Sequence, residues 1–166
     1  MKLSDSYTLR LYRPNDLPRL QEITVQTFAA VSIDRNMEQL LGAFGEGDWS
    51  ARKAASIAED CRVQPDGVFV AEDDSAQVVG FVTTRLQQSS RVGWIVNLAV
   101  DPNHQGKGLG YAILEHALDF FRERGMQVAK IETLEQNPVG QKLYPRLGFV
   151  SVAKQIHYAM RLDVVI

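Results

Sequence analysis

The chain has 166 residues, a length that suits one domain over 1–166. With 45% hydrophobic residues it can build a core without staples, and 18 basic residues against 20 acidic ones exclude a nucleic-acid binder that works by bulk positive charge. One cysteine, Cys61, excludes a disulfide framework and a cysteine-rich zinc site, and His104, His116 and His157 are too scattered for a metal motif, so no metal is expected.

Tyr7–Arg13 alternates apolar and polar residues and reads as a strand. Asn15 or Asp16 then caps a helix whose buried stripe is Leu17, Leu20, Ile23, Thr24, Phe28 and Val31. A second helix is expected over Asp34–Phe44. Gly42, Gly45 and Gly47 break it, and Ser50 caps a third helix that runs through Cys61. Val68–Glu72 and Val78–Leu86, joined by the polar Asp73–Gln77, read as an antiparallel hairpin. Trp94–Val100 is almost wholly apolar, as a central strand covered on both faces would be. Leu109–Arg124 carries Leu109, Ala112, Ile113, Ala117, Phe120 and Phe121 on one side, and Gly125 stands at its stop position. Gln127–Thr133 is a further strand. Asn137 caps a short helix with Pro138 first, which ends near Leu147 and Gly148. Phe149–Lys154 and Gln155–Leu162 are expected to close the sheet as strands. The strand–helix–strand run over 94–133 predicts a parallel pair with a right-handed crossover. The expected class is therefore α/β: a twisted mixed sheet with helices on both faces.

The stretch Asn97–Gly110 (NLAVDPNHQGKGLG) carries the most chemistry. A strand runs into a glycine-rich turn and then into a helix, the layout of a phosphate site. Glycines permit positive φ and close backbone approach, and the free N–H groups of a helix start converge where its dipole is positive. Walker A spacing is absent, and GxGxxG fails because Tyr111 or Ile113 stands at its third glycine. What remains is Gln105-x-x-Gly108-x-Gly110. Downstream, Asn137 and Tyr144 lie seven residues apart, two helical turns, so their side chains start on one face.

These two segments, in this order, resemble the motifs of the GNAT acyltransferase superfamily. Q/R-x-x-G-x-G/A resembles its coenzyme A pyrophosphate loop, and N…LYxxLGF resembles its downstream half. The resemblance spans about Tyr7–Leu162. It implies the GNAT fold, in which the strand before the loop splays from the next parallel strand and admits the pantetheine arm. It implies acetyl-CoA as co-substrate, backbone contacts to pantetheine from Leu98, Ala99 and Val100, and a pyrophosphate wrapped by Gln105, Gly106, Lys107, Gly108, Leu109 and Gly110. It further implies Asn137 as a contact to the cofactor arm and Tyr144 as the proton donor to the leaving thiolate. Each feature has a plainer reading: a tight turn, a solvated Lys107, Asn137 as a helix cap, Tyr144 as a core aromatic.

The chemistry implied is transfer of an acetyl group to a primary amine by direct attack through a tetrahedral intermediate. A lysine-type amine, of pKa about 10.4, must first lose a proton. Glu132 is the first candidate base, because it also matches a glutamate of RimI-type N-terminal acetyltransferases, which share the NLAVDP-like strand. Glu135 or an ordered water is the alternative. A backbone N–H near Leu98 would stabilise the oxyanion.

The acceptor is left open among a small molecule, a peptide and a protein amine. Asp34, Glu38, Glu46 and Asp48 around Trp49 suggest attraction for a cationic amine, or else a solvated loop. This region departs from the compact RimI equivalent. No run approaches 18 apolar residues, so no membrane partner is expected, and the polar N-terminus does not read as a signal peptide. Cytoplasm is the simplest location. A homodimer is a family-level expectation, and Val164–Ile166 could cover a partner. Two other readings remain: a catalytically weak GNAT-fold acyl-CoA sensor, and a nucleotide binder without transferase activity.

Overall fold

A computed structural model describes residues 2–4 and 6–163, with Lys2–Ser4 described through their backbone alone. Six strands lie in one sheet in chain order: β1 (Lys2–Ser4), β2 (Tyr7–Leu11), β3 (Val68–Asp73), β4 (Val78–Gln87), β5 (Val92–Val100) and β6 (Val128–Ile131). Neighbours are antiparallel through β5, and β5 pairs with β6 in parallel. Among the described residues five α-helices accompany them: α1 (Leu17–Phe28), α2 (Ile33–Leu41), α3 (Trp49–Val63), α4 (Leu109–Glu123) and α5 (Pro138–Arg146). The expected mixed sheet with helices on both faces is the one observed.

The core has two halves, one on each side of the sheet. On one side α4 lays Leu109, Ile113, Leu114, Ala117, Phe120 and Phe121 against Leu9, Phe69, Ala71, Val82 and Ile95. On the other, Leu20 and Ile23 of α1 and Ile57 and Cys61 of α3 meet Val68, Val70, Phe81 and Ala99. Gly93 lets the sheet touch α4: a Cβ there would lie 2.4 Å from the Phe121 ring. Burial pushes the Cys61 thiol up to about 11, so at neutral pH it is an inert part of this core. Among the described residues, no helix is long and apolar enough to cross a membrane.

One bulge decides which way β5 points. Thr83 faces Asn97 but Thr84 faces Ile95, so Val96 is the extra residue. Side-chain direction flips across it. Ile95 packs on the α4 side, whereas Asn97 and Ala99 turn to α1 and α3. Asn97 thereby meets Asp60, a carboxylate that is 4% exposed on the apolar face of α3. Asp60 accepts from Asn97 Nδ2 (2.7 Å), Thr83 Oγ1 (3.0 Å) and Arg85 Nη2 (2.6 Å). Removing it would leave Arg85 and Asn97 without their acceptor in low dielectric. Asp60→Ala is expected to cost about 2–4 kcal/mol of stability, measured by urea denaturation. A loss below half a kilocalorie would show the network to be dispensable.

Three local expectations change. Asp16 does not cap α1 with its side chain; it accepts from Arg13 N (2.7 Å) and pairs with Arg10. The second helix starts at Ile33, capped by Ser32, and ends at Leu41. The third starts at Trp49, capped by Asp48 rather than Ser50, with Ala51 N donating to Asp48 Oδ1 (3.0 Å).

The largest correction concerns the end of the chain. Phe149–Lys154 and Gln155–Leu162 form no strands, and the sheet stops at β6. The alternation is present, but Val152 and Tyr158 are 90% and 89% exposed. A strand needs a partner's ladder as well as a pattern, and this segment is led away from β6. Arg161 Nη1 donates to Leu41 O (3.1 Å) and Ala43 O (2.8 Å), which pins the segment's end to the C-terminus of α2. Val164–Ile166, suggested as a partner surface, lie outside the described residues.

Candidate functional site

The parallel pairing of β5 with β6 ends at Ile95 and Ile131. β5 runs on for five more residues, Val96–Val100, held by β4 alone. The two parallel strands therefore part company, and Leu98, Ala99 and Val100 lie on the segment beyond the fork. Leu98 and Val100 are half-buried toward α4, and Ala99 is buried toward α1.

The loop after β5 folds back on the strand it leaves. Gln105 Nε2 donates to Val100 O at 2.9 Å. Gly106 and Gly108 have φ of 75° and 80°, the left-handed region that L side chains resist. A Cβ on either would meet nothing within 4 Å, so the requirement is conformational and the space above the loop is open. Gly108 is the N-cap of α4, and its carbonyl accepts the first helical bond, from Ala112 N (3.1 Å). The N–H groups of Leu109, Gly110 and Tyr111 precede that bond and need acceptors from outside the helix. Lys107 is exposed, with Nζ 3.3 Å from Asn103 O.

Residues outside the Gln105–Gly110 motif hold this loop down. Asp101, at the strand end, is buried. Its oxygens take the Asn103 N–H (2.8 Å) and an Arg19 side chain from α1, which also donates to Val78 O (3.0 Å). Burial pushes the Asp101 carboxyl up, but these donors outweigh it and hold the pKa below the ordinary value. His104 Nδ1 lies 3.1 Å from the Tyr7 hydroxyl of β2. A sequence signal existed in the Asp-Pro turn, but its partners are 82 and 97 residues away.

Asn137 and Tyr144 do share a face of α5, as expected. Asn137 Oδ1 accepts from Gly140 N (3.2 Å), its capping role, while Nδ2 donates to Thr133 Oγ1 (2.9 Å). Tyr144 is half-buried over Gly140. A Cβ on Gly140 would lie 2.9 Å from both the Tyr144 hydroxyl and Asn137 Nδ2, so a side chain there would push one or both of them aside. Burial raises the Tyr144 pKa above the ordinary phenol value, and a hydrogen bond with Thr133 acts in the opposite sense. The two motifs meet in space: the Cβ position of Gly110 is 3.6 Å from Leu143 Cδ2 and 3.8 Å from Val100 Cγ2.

Glu132 follows β6 directly, at the fork. It is half-exposed and paired with Lys130 Nζ at 2.7 Å, and that lysine also lies 4.8 Å from the Trp94 ring centroid. Glu135 is 85% exposed and bonded to Lys154 (3.2 Å). The acidic set expected around Trp49 is largely committed elsewhere. Asp34 and Glu38 face Arg52 at 3.6 and 2.7 Å, and Asp48 caps α3.

A forked parallel pair, a glycine loop between strand and helix, and a half-buried tyrosine on the following helix thus lie in one region of the fold. A sequence model of the Acetyltransferase (GNAT) family matches residues 34–149, and the chain belongs to that family. It is 29% identical over 163 residues to the mycothiol acetyltransferase of Salinispora tropica, a match covering 95% of this chain and 49% of that one. The chain thus spans about half the length of the curated relatives it matches. The coenzyme A complex of PaiA N-acetyltransferase from Thermoplasma acidophilum superposes with a TM-score of 0.72 at 18% identity, covering 90% of this chain and 93% of that one. The ribosomal-protein-S18-alanine N-acetyltransferase of Escherichia coli, the RimI type, superposes with a TM-score of 0.66 at 23% identity, covering 95% and 86%. At those identities the likeness is one of fold.

Proposed function

We propose that this chain, acting as one domain, transfers acetyl from acetyl-CoA to a primary amine. The observation that carries the reading is the fork in β5 and β6 with the glycine loop at its end. The loop's left-handed glycines and the first-turn N–H groups of α4 suit a pyrophosphate, and nothing crowds the space above Gly106 and Gly108. Gln105, tied to Val100, fixes the loop to the strand that would carry the pantetheine. Backbone groups of Leu98–Val100, freed from β6, would bind that arm, and the Leu98 N–H would stabilise the oxyanion. Tyr144 would protonate the departing thiolate, its raised pKa keeping the proton in place at neutral pH. Glu132, directly or through water, would take the proton of the amine. Its position directly after β6 and its 2.7 Å contact with Lys130 Nζ support that reading. Asn137 supports α5 as its cap and would reach the cofactor arm from the same face.

The experiment is calorimetric titration with acetyl-CoA, ATP and NAD, followed by thiol release with an amine panel. Binding of acetyl-CoA alone, with amine-dependent release, is the expected result. Binding without release from any amine would favour the acyl-CoA sensor, and no binding would overturn the reading.

A further inference from the structure

On the α1 and α3 side of the fork lie two cations whose direct partners carry no charge. Lys53 Nζ donates to Asn97 Oδ1 at 2.7 Å and sits 4.4 Å from the Phe28 ring centroid. Arg35, in the first turn of α2, donates to Ala29 O, and its guanidinium carbon lies 5.9 Å from the Trp49 ring centroid. Phe28 and Ala29 are consecutive, and Trp49 and Lys53 are one turn apart on α3, so the contacts close into one patch. Among the described residues, neither cation has a carboxylate within ion-pair distance. Arg10, Arg19, Arg52 and Arg85, also partly buried, each sit on one. Burial pushes the Lys53 ammonium below its ordinary value, and the more distant Asp60 and Asp34 only partly oppose that. A half-buried cation of this kind is stabilised by an anion brought to it.

The patch is also joined to the reacting strand. Asn97 belongs to the part of β5 beyond the fork, one residue before Leu98, and the bulge at Val96 turns it to this side. We propose that Lys53 and Arg35 bind the carboxylate of the acceptor, and that the acceptor is a small amine carrying its own carboxylate, of the amino-acid type. The amine would then lie toward the open edge of β5 and the carboxylate toward α2 and α3. This rests on the acetyltransferase reading, and it replaces the cationic amine that the acidic residues near Trp49 suggested.

The test pairs free amino acids with their carboxamides as acceptors in the thiol-release assay, compared at equal neutral-amine concentration. The acids are expected to show KM values at least about tenfold lower, the scale of one charge-assisted hydrogen bond. Lys53→Met and Arg35→Met should each raise KM for the acids toward that of the amides. Both should leave the amides and the affinity for acetyl-CoA as they were, and Lys53→Arg should keep the preference. Should Lys53→Met fail to fold, Arg35→Met carries the same test. Equal KM values for acids and amides, or no turnover of the acids by protein that binds acetyl-CoA, would overturn the proposal. Absence of acetyl-CoA binding would instead remove the acetyltransferase reading beneath it.

Discussion

Gly108→Trp is expected to weaken acetyl-CoA binding by at least about a hundredfold, the loss of two charge-assisted hydrogen bonds to phosphate. Two effects act together. An L side chain at φ 80° strains the turn by about 1–2 kcal/mol, which shifts the loop away from its left-handed geometry. The indole would also project into the open space above the loop, where the pyrophosphate is proposed to lie. Gly125→Trp is the matched control. Gly125 has φ 72°, meets nothing within 4 Å, and stands at the other end of the same helix. It should lose a similar amount of stability and keep its acetyl-CoA affinity. Calorimetry on the two variants separates a site effect from a fold effect. Equal affinities would remove the loop from the cofactor site.

Tyr144→Phe should lower kcat by about a hundredfold, the low end of what a positioned general acid contributes. The dissociation constant for acetyl-CoA should change by less than about threefold, since one hydroxyl leaves and the ring stays. The ring packs over Gly140, a contact that phenylalanine can keep, so α5 is expected to hold its shape in the variant. The pH dependence gives a second readout. The group must be protonated to act, and burial raises its pKa above the ordinary phenol value of about 10. Wild-type kcat should therefore hold through neutral and mildly alkaline pH and fall only above that value. The variant should lack this alkaline limb. An unchanged kcat in Tyr144→Phe would take the tyrosine out of the reaction, and a solvent proton would then suffice for the thiolate.

Much of the scaffold was legible because its determinants are local. The hairpin β3–β4 is marked by apolar runs around a polar turn, and α4 by a 3.6-residue stripe closed by Gly125. Asn137-Pro138 announces a helix start through a side chain three residues from the N–H it caps. The glycine loop was readable for the same reason, since positive φ is a requirement of single residues. Pattern alone misled at 149–162, where alternating apolar residues suggested strands. Whether such a segment joins a sheet depends on where its end is tied, and Arg161 ties it to Leu41 and Ala43, some 120 positions earlier.

By itself, then, the sequence determined the order of the elements from β2 to α5, the glycine turn at the head of α4 and the two motifs, because each rests on bonds and torsions within a few residues. The tertiary structure decided what those pieces enclose. It ended the β5–β6 ladder at Ile95, placed a bulge at Val96, and so turned Asn97 toward α3 rather than α4. It gathered Asp60, Thr83, Arg85 and Asn97 into one buried network, and set Lys53 beside Asn97 and Arg35 beside Trp49, with no carboxylate among the described residues paired to either cation. Such contacts join residues 14 to 44 positions apart. Their energy comes from desolvation and charge at short range in space, and spacing along the chain carries no record of it.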